Sequence, residues 1–387
     1  EVIEYIMPDI ARRFQAGDWS GIKGICYREG GSTVCGETGQ LISDLDALPF
    51  QDYGGGNKFF IEGSRVRRVD PLVAARELRV FASRGCPFNC SYCYNSILRS
   101  MYPGQRYHRI RSVDSVIGEI ERALSVFKNI RKVKFDDDTF VFPRDWVIEF
   151  SKEYKKRIGL PFEILLNAGC ADRESLDMLT GAGLRRAQVG IQTGSADEAR
   201  DAYNRDLSAE KIRAFAGEAK EMGLALVYDV ILDNPMATYE QKMEIVNMLL
   251  SLPRPFDLFM YSLTVFPGTR LCDILLERGL ISPDDVEGRA AKSFRQFRFS
   301  FGYPREKDDL FVACLVSLTS KGFIPKAMIK RLCKSGMLRA HPFILSIFAE
   351  ICNYIKLMQV FIRMAVNGEL SFWKIKEYGL PRRFLIQ

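Results

Sequence analysis

From residue 77 to 280, short apolar runs and amphipathic stretches take turns along the chain, and this alternation constrains the fold more than any other feature. Strand-like runs occur at 78–83, 133–135, 162–167, 187–191, 226–232 and 258–263. Helical patterns fall between them at 113–128, 146–157, 175–182, 209–222 and 239–250, and a sixth at 271–278 follows the last strand. Strands alternating with helices of this length predict βαβ units and a parallel sheet. Gly183, Gly223 and Gly279 stand where helices should stop, which supports the phasing. Six units fit an α/β fold of the open, partial (β/α)6 TIM-like barrel type better than a closed eightfold barrel. In such barrels chemistry gathers at the C-terminal strand ends, so those loops are read first.

With 387 residues, 47% of them apolar and 27% charged, the chain has the make-up of a globular protein and not of a disordered one. The greasiest run, 342–366, is interrupted by Glu350, Asn353, Lys356 and Arg363, so no membrane-spanning helix is expected. No signal-peptide pattern opens the chain. Ten cysteines are too few for a disulfide scaffold, and only Cys86, Cys90 and Cys93 cluster. Clustered cysteines favour a metal site in a reducing compartment, which predicts a cytoplasmic location. The net charge of +7 is uneven: residues 311–387 carry 12 Lys and Arg against 3 Asp and Glu. A basic, apolar tail suits an anionic partner, although solvated side chains around an ordinary helical region explain it more simply.

The first strand runs directly into Cys86-Pro87-Phe88-Asn89-Cys90-Ser91-Tyr92-Cys93. Thiolates are soft ligands suited to iron–sulfur clusters, zinc or copper. The spacing i, i+4, i+7 also describes one apolar helix face with cysteine as a small hydrophobe, but Gly85, Pro87 and Asn89 make a poor helix. Structural zinc usually has four closed ligands, and no second Cys pair with His follows nearby. A four-iron cubane on three cysteines leaves one iron open, able to bind a small molecule through a nitrogen and an oxygen.

The Cys-x3-Cys-x2-Cys pattern, with Tyr92 just before the last cysteine, resembles the radical S-adenosylmethionine (SAM) superfamily over residues 71–281. The resemblance implies a [4Fe–4S] cluster on Cys86, Cys90 and Cys93, with SAM chelated at the unique iron and Tyr92 against the adenine. An electron from the reduced cluster then cleaves the sulfonium to a 5′-deoxyadenosyl radical, which abstracts hydrogen from substrate. Asp136 and Asp138, in Phe135-Asp136-Asp137-Asp138-Thr139, occupy the place of the acidic motif that binds the methionine ammonium; a helix cap or a magnesium site is the competing reading. Asn167 after the third strand is placed to reach the nucleoside, or is a turn asparagine. Gln192 and Ser195, in Gly190-Ile191-Gln192-Thr193-Gly194-Ser195, resemble the family's segment that holds the SAM ribose or carboxylate. Arg205 is a candidate partner for the methionine carboxylate, with a surface ion pair as the alternative. Asp233 stands where many relatives carry glycine, and Phe266-Pro267-Gly268-Thr269 resembles their Pro-Gly-Thr turn.

Residues 1–70 form a lead-in, with a short hairpin expected around Glu29-Gly30-Gly31. The segments 22–27 and 42–50 are similar to the linker of cobalamin-binding radical SAM proteins, which implies a cobalamin domain upstream of Glu1 and a chain truncated at its border. The only histidines are His108 and His341, so no residue here is assigned to cobalamin. The expected function is radical chemistry on an unactivated C–H bond of a small-molecule substrate, extending to C-methylation where cobalamin is present. A reducing protein such as flavodoxin or ferredoxin would supply electrons, and no nucleic acid is expected. Two alternatives stand beside it: a tRNA methylthiotransferase, whose additional domains are not visible, and an iron–sulfur electron-transfer module without SAM chemistry.

Two further segments carry expectations. Tyr102, Arg106, Tyr107, His108 and Arg109 either face an anionic or conjugated substrate or cover the barrel mouth. Residues 282–387 form a helical, basic subdomain, in which Ile344, Leu345, Phe348, Ile351, Cys352 and Ile355 recur at helical spacing. That stripe is expected to pack on the barrel, along with Trp373 and Tyr378. The tail's lysines would then give only weak, salt-sensitive contact with an anionic membrane surface.

Overall fold

The computed structural model describes residues 3–290, apart from Gly55 and Ala171, together with residue 301 and residues 305–366. Six strands, β1 (Glu77–Val80), β2 (Lys132–Phe135), β3 (Phe162–Leu166), β4 (Leu184–Gln192), β5 (Ala225–Leu232) and β6 (Asp257–Ser262), lie side by side in chain order. Every pairing in this sheet is parallel. Helices follow the strands: α1 (Tyr94–Ser100), α2 (Val113–Val126), α3 (Arg144–Arg157), α4 (Arg173–Ala182), α5 (Ala196–Asp201), α6 (Ala209–Glu221), α7 (Tyr239–Ser251) and α8 (Arg270–Glu277). After α9 (Pro283–Ala290) come α10 (Lys307–Thr319), α11 (Lys326–Cys333), α12 (Gly336–Ala340) and α13 (Pro342–Val366). The partial barrel is therefore open: β1 and β6 are its two edges.

Alternation along the strands separates two environments. Leu78 and Val80, Val133 and Phe135, Phe162, Ile164 and Leu166 are buried in the core shared with the helices. Phe135, Phe150, Tyr154 and Phe162 pack edge-on or tilted there, with ring centroids 4.8–6.4 Å apart. The opposite face of the sheet is charged. Lys132 bridges Glu77 at 2.7 Å and Glu163 at 2.8 Å across two strand gaps. Arg79 meets Asp136 at 3.0 Å, Arg186 meets Asp257 at 3.5 Å, and Gln188 donates to Asp229 at 2.7 Å. Opposite charges on neighbouring strands offset one another, which lets a half-buried face carry so many ions.

The lead-in forms the expected hairpin, Cys26–Glu29 against Ser32–Cys35. Cys26 and Cys35 face each other at its open end and form a disulfide, which corrects the reading of all cysteines outside the cluster as scattered. The Arg109 guanidinium is buried and donates to the Ile42 carbonyl at 2.8 Å, while the Leu41 N–H donates to the Gln105 side chain at 2.7 Å. Tyr102 is buried as well. Arg109 and Gln105 thus fasten the lead-in to this segment, and the buried Arg109 and Tyr102 present no open substrate face.

The C-terminal helices dock on the sheet's far edge. Asp309 on α10 pairs with Lys242 on α7, and Lys326 donates to the Leu252 carbonyl at 2.8 Å. Helix α13 packs against α10 through Leu345, Ala349 and Cys352, and its Lys356 reaches Asp257 at 2.7 Å. One expectation is corrected here. Over Pro342–Arg363 this helix is long and apolar enough to cross a membrane by length and composition alone, which leaves the expectation of no spanning helix standing. The expected stripe splits: Leu345 and Cys352 face inward and Phe348 is partly buried, whereas Ile344, Ile351 and Ile355 are exposed. Small side chains, Ser346, Ala349 and Cys352, make the close approach, and the larger isoleucines are left outside. Trp373 and Tyr378 lie outside the described residues.

Candidate active site

The loop after β1 is fixed before any ligand is considered. A two-residue strand, Ser83–Arg84, pairs antiparallel with Arg109–Ile110. Gly85 follows at φ +78°, and a Cβ there would sit 2.4 Å from the Tyr107 carbonyl oxygen, so only glycine fits. Cys86, Cys90 and Cys93 come next, and Cys93 stands at the N-cap of α1. The Arg99 guanidinium on α1 reaches back to the Cys86 carbonyl and to the Phe88 carbonyl, the latter at 3.0 Å. Asn204 donates to the Asn89 carbonyl at 2.8 Å, the Ser91 N–H donates to the Tyr203 carbonyl at 3.2 Å, and the Leu271 N–H donates to the Ser91 carbonyl at 3.0 Å. Contacts from α1, from the segment after α5 and from α8 therefore hold the loop over the strand ends.

The three thiols are free and half-buried. Burial pushes the Cys86 thiol up to about 11, and the neighbouring Asp138, Cys90 and Cys93 push in the same direction. Cys90 and Cys93 are raised for the same first reason, burial. Among the described residues, no three His, Cys, Asp or Glu side chains converge as one metal ion would require. A cubane's thiolates bind separate irons and need not converge, and soft sulfur donors fit it.

The expected SAM-binding residues fall into two groups. Arg205 donates through one Nη to the Gln192 side-chain carbonyl and approaches the Tyr92 hydroxyl at 3.5 Å. Tyr92 packs edge-on against the buried Tyr203, with centroids 5.2 Å apart. The charge of Arg205 also lowers the Cys90 thiol, partly offsetting its burial. Gln192 has φ +58° at a bulge between β4 and β5, and a Cβ on Gly190 would lie 2.8 Å from the Gln192 amide nitrogen. Asp138 lies near Cys86 and Cys93, with its carboxyl raised by burial and held by Asn95. Cys90, Tyr92, Gln192 and Arg205 thus share one corner, and Asp138 stands beside the other two cysteines.

The remaining candidates are occupied elsewhere. Asp136 pairs with Arg79 and, at 3.5 Å, with Lys134 on the sheet's charged face. Asn167 accepts from the Gly169 N–H at 3.0 Å and closes its own turn. Ser195 is buried as the N-cap of α5, accepting from the Glu198 N–H at 3.4 Å. Asp137, between the two expected acids, is buried; its carboxyl is pushed up to about 6 and accepts from Ser83 and the Ala82 N–H, tying β2 to the cysteine loop. Asp233 takes φ +63° at the position where the resemblance expects glycine, and Ser262 and Arg305 each hold its carboxylate at 2.7 Å. Thr269 caps α8, and Phe266 in the same turn packs against Tyr94 of α1 at 6.2 Å.

Sequence reasoning missed the supports Asn95, Arg99, Glu198 and Arg305. The Glu198 carboxylate accepts from Asn234 at 2.6 Å and from Thr193 at 2.5 Å inside the core. Asn95, two positions after the last cysteine, is recognisable as a support only from its burial on a short helix, where a polar side chain needs a partner.

An open barrel of parallel strands with a pinned thiol loop at its strand ends is the architecture of an α/β-barrel enzyme. Residues 80–251 match the family model described as the radical SAM superfamily. An uncharacterized methyltransferase of Pyrococcus horikoshii is 24% identical over 264 residues, covering 67% of this chain and 53% of that protein. The bacteriochlorophyllide d C-8(2)-methyltransferase of Chlorobaculum tepidum is 24% identical over 235 residues, covering 58% and 50%. The solved cobalamin-dependent SAM radical enzyme OxsB, with aqua-cobalamin bound, superposes with a TM-score of 0.59 at 16% identity, over 94% of this chain and 58% of that one. The methyltransferase TsrM of Kitasatospora setae superposes at 0.54 with 19% identity, over 71% and 52%. These likenesses establish the fold. The chain spans about half the length of the curated relatives it matches.

Proposed function

We propose that this chain is the catalytic part of a radical SAM enzyme, with Cys86, Cys90 and Cys93 holding a [4Fe–4S] cluster. The observation that carries the reading is the corner in which Arg205 joins Cys90, Tyr92 and Gln192. When bound, the reduced cluster supplies the electron that cleaves SAM for hydrogen abstraction. The chain's own residues bind and orient. Arg205 offers a fixed cation for the methionine carboxylate, and Gln192 holds that guanidinium in place. Asp138 offers an anion for the ammonium group on the Cys86–Cys93 side, and Tyr92 offers a ring face to the adenine. Asp136, Asn167 and Ser195 support these groups through the sheet, the turn and the helix cap.

The lead-in (1–70), barrel (71–281) and helical region (282–387) form the working division of the chain. The methyltransferase names of the relatives and the cobalamin of the structural neighbours favour C-methylation of a small molecule, with cobalamin supplied from outside residues 1–387. An external reductant such as flavodoxin or ferredoxin, a cytoplasmic location and independence of nucleic acid complete the reading. Dithionite-reduced, cluster-loaded protein is expected to release 5′-deoxyadenosine from SAM. A cluster-loaded protein that binds SAM but never cleaves it would leave only an electron-transfer module.

A further inference from the structure

Helix α13 carries a continuous apolar face with nothing packed on it among the described residues. Phe343, Ile344, Ile347, Ile351, Ile355, Met358, Ile362 and Val366 follow one another at steps of one to four residues, and all are exposed. Ile344, Ile351, Met358 and Ile362 each expose more than half their surface, at 53%, 51%, 57% and 59%. A 25-residue helix is about 37 Å long, so this face runs for several turns. Single exposed apolar residues need no explanation, but a stripe of this length marks an interaction surface.

The charge beside the stripe decides what covers it. Residues 321–349 contain six Lys and Arg and no Asp or Glu. Lys330, Arg331 and Lys334 are exposed and make no ion pair among the described residues. They are interleaved with exposed Phe323, Met328 and Met337, and α12 packs directly against α13. A second copy of this chain would bring like charge to like charge. An anionic bilayer offers both what the stripe needs and what the lysines need.

The helix does not span. Its other face is buried against α10 through Leu345, Ala349 and Cys352, Asn353 meets Ser317 at 3.2 Å, and Lys356 holds Asp257. Crossing a bilayer would strip all of these contacts. We propose that α13 lies in the plane of an anionic membrane surface, with its isoleucine face in the acyl boundary and Lys330, Arg331 and Lys334 at the headgroups. This reverses the weak, purely electrostatic contact expected from the sequence, and it stands independently of the cluster chemistry.

The test is flotation of the full chain with vesicles of phosphatidylcholine alone and of phosphatidylcholine with about 30% phosphatidylglycerol, at low salt and at ~0.5 M salt. Exposed charges are screened at high salt, whereas inserted apolar side chains are not. The expected result is recovery with the anionic vesicles that persists in part at ~0.5 M salt. The triple variant I347E/I351E/I355E should lose at least tenfold of that binding while keeping its monomeric size and far-UV spectrum. K330E/K334E should lose mainly the preference for phosphatidylglycerol. No flotation, flotation abolished by salt alone, or a stripe variant that changes oligomeric state without changing flotation would each overturn the proposal. The last of these would assign the face to protein–protein contact.

Discussion

The Arg205 guanidinium is held by the side-chain carbonyl of Gln192, a residue whose own backbone lies in the left-handed region at φ +58°. A non-glycine residue in that region costs of order 1 kcal/mol or more, and such outliers cluster at functional sites. The bulge after Gly190 turns Gln192 toward Arg205 instead of leaving it in line with the strand.

Arg205 and Gln192 should therefore act on SAM and leave the cluster alone. Arg205→Ala is expected to weaken SAM binding by roughly 10–100-fold, the usual scale of a charge-assisted hydrogen bond. Gln192→Ala should cost less, about tenfold. Equilibrium binding of SAM to reconstituted protein checks both, with iron content measured alongside. Gly190→Ala should behave like Gln192→Ala, because its Cβ would displace the Gln192 amide.

Two glycines should respond in opposite directions to alanine. Gly85→Ala forces a Cβ to within 2.4 Å of the Tyr107 carbonyl at a positive φ. It is expected to destabilise by about 2 kcal/mol or more and to lower the iron content. Gly217 lies within α6 and has no neighbour within 4 Å of a new Cβ. Gly217→Ala should stabilise by about 0.5–1 kcal/mol. Urea denaturation of the two variants beside the wild type reads both effects.

Asp229 should give the fold a pH dependence. Burial pushes its carboxyl up to about 7, against the lowering effects of the Gln188 hydrogen bond and of the Lys134 and Arg205 charges. Between about pH 4 and 7 the unfolded chain has released this proton and the native protein has not, so stability falls as pH rises through that window. The loss is complete above about pH 7 and is on the order of 4 kcal/mol at most. Asp229→Asn should flatten the curve, so that the variant gains more over wild type at pH 8 than at pH 5. Denaturation midpoints across that range check it. A parallel offset at all pH values would show that Asp229 is ionised throughout.

Much of this fold was legible because strand and helix periods alternate cleanly. Strand β5 was expected at 226–232 and runs Ala225–Leu232; helix α3 was expected at 146–157 and runs Arg144–Arg157. The cysteine loop was legible because three soft ligands at that spacing have few other uses. Side-chain roles at the other strand ends were less so. Ser195 and Asn167 are residues that cap and close turns by their nature, and local hydrogen bonds claimed them. Arg305 reaches Asp233 across 72 positions of chain, a pairing that no local pattern reveals. On α13 hydropathy picked out the apolar positions but not which of them faced inward, because close helix packing there selected Ser346 and Ala349 over isoleucine.

The cysteine assignment is the centre of the account, and iron content tests it most directly. Anaerobically reconstituted wild type should be brown and hold about four irons per chain, as one cubane requires. Cys86→Ala, Cys90→Ala and Cys93→Ala should each lose most of that iron. Cys272→Ala, altered on the buried face of α8, should keep it. A wild type that stays colourless with tightly bound zinc, or cysteine-loop variants that retain four irons, would contradict the assignment.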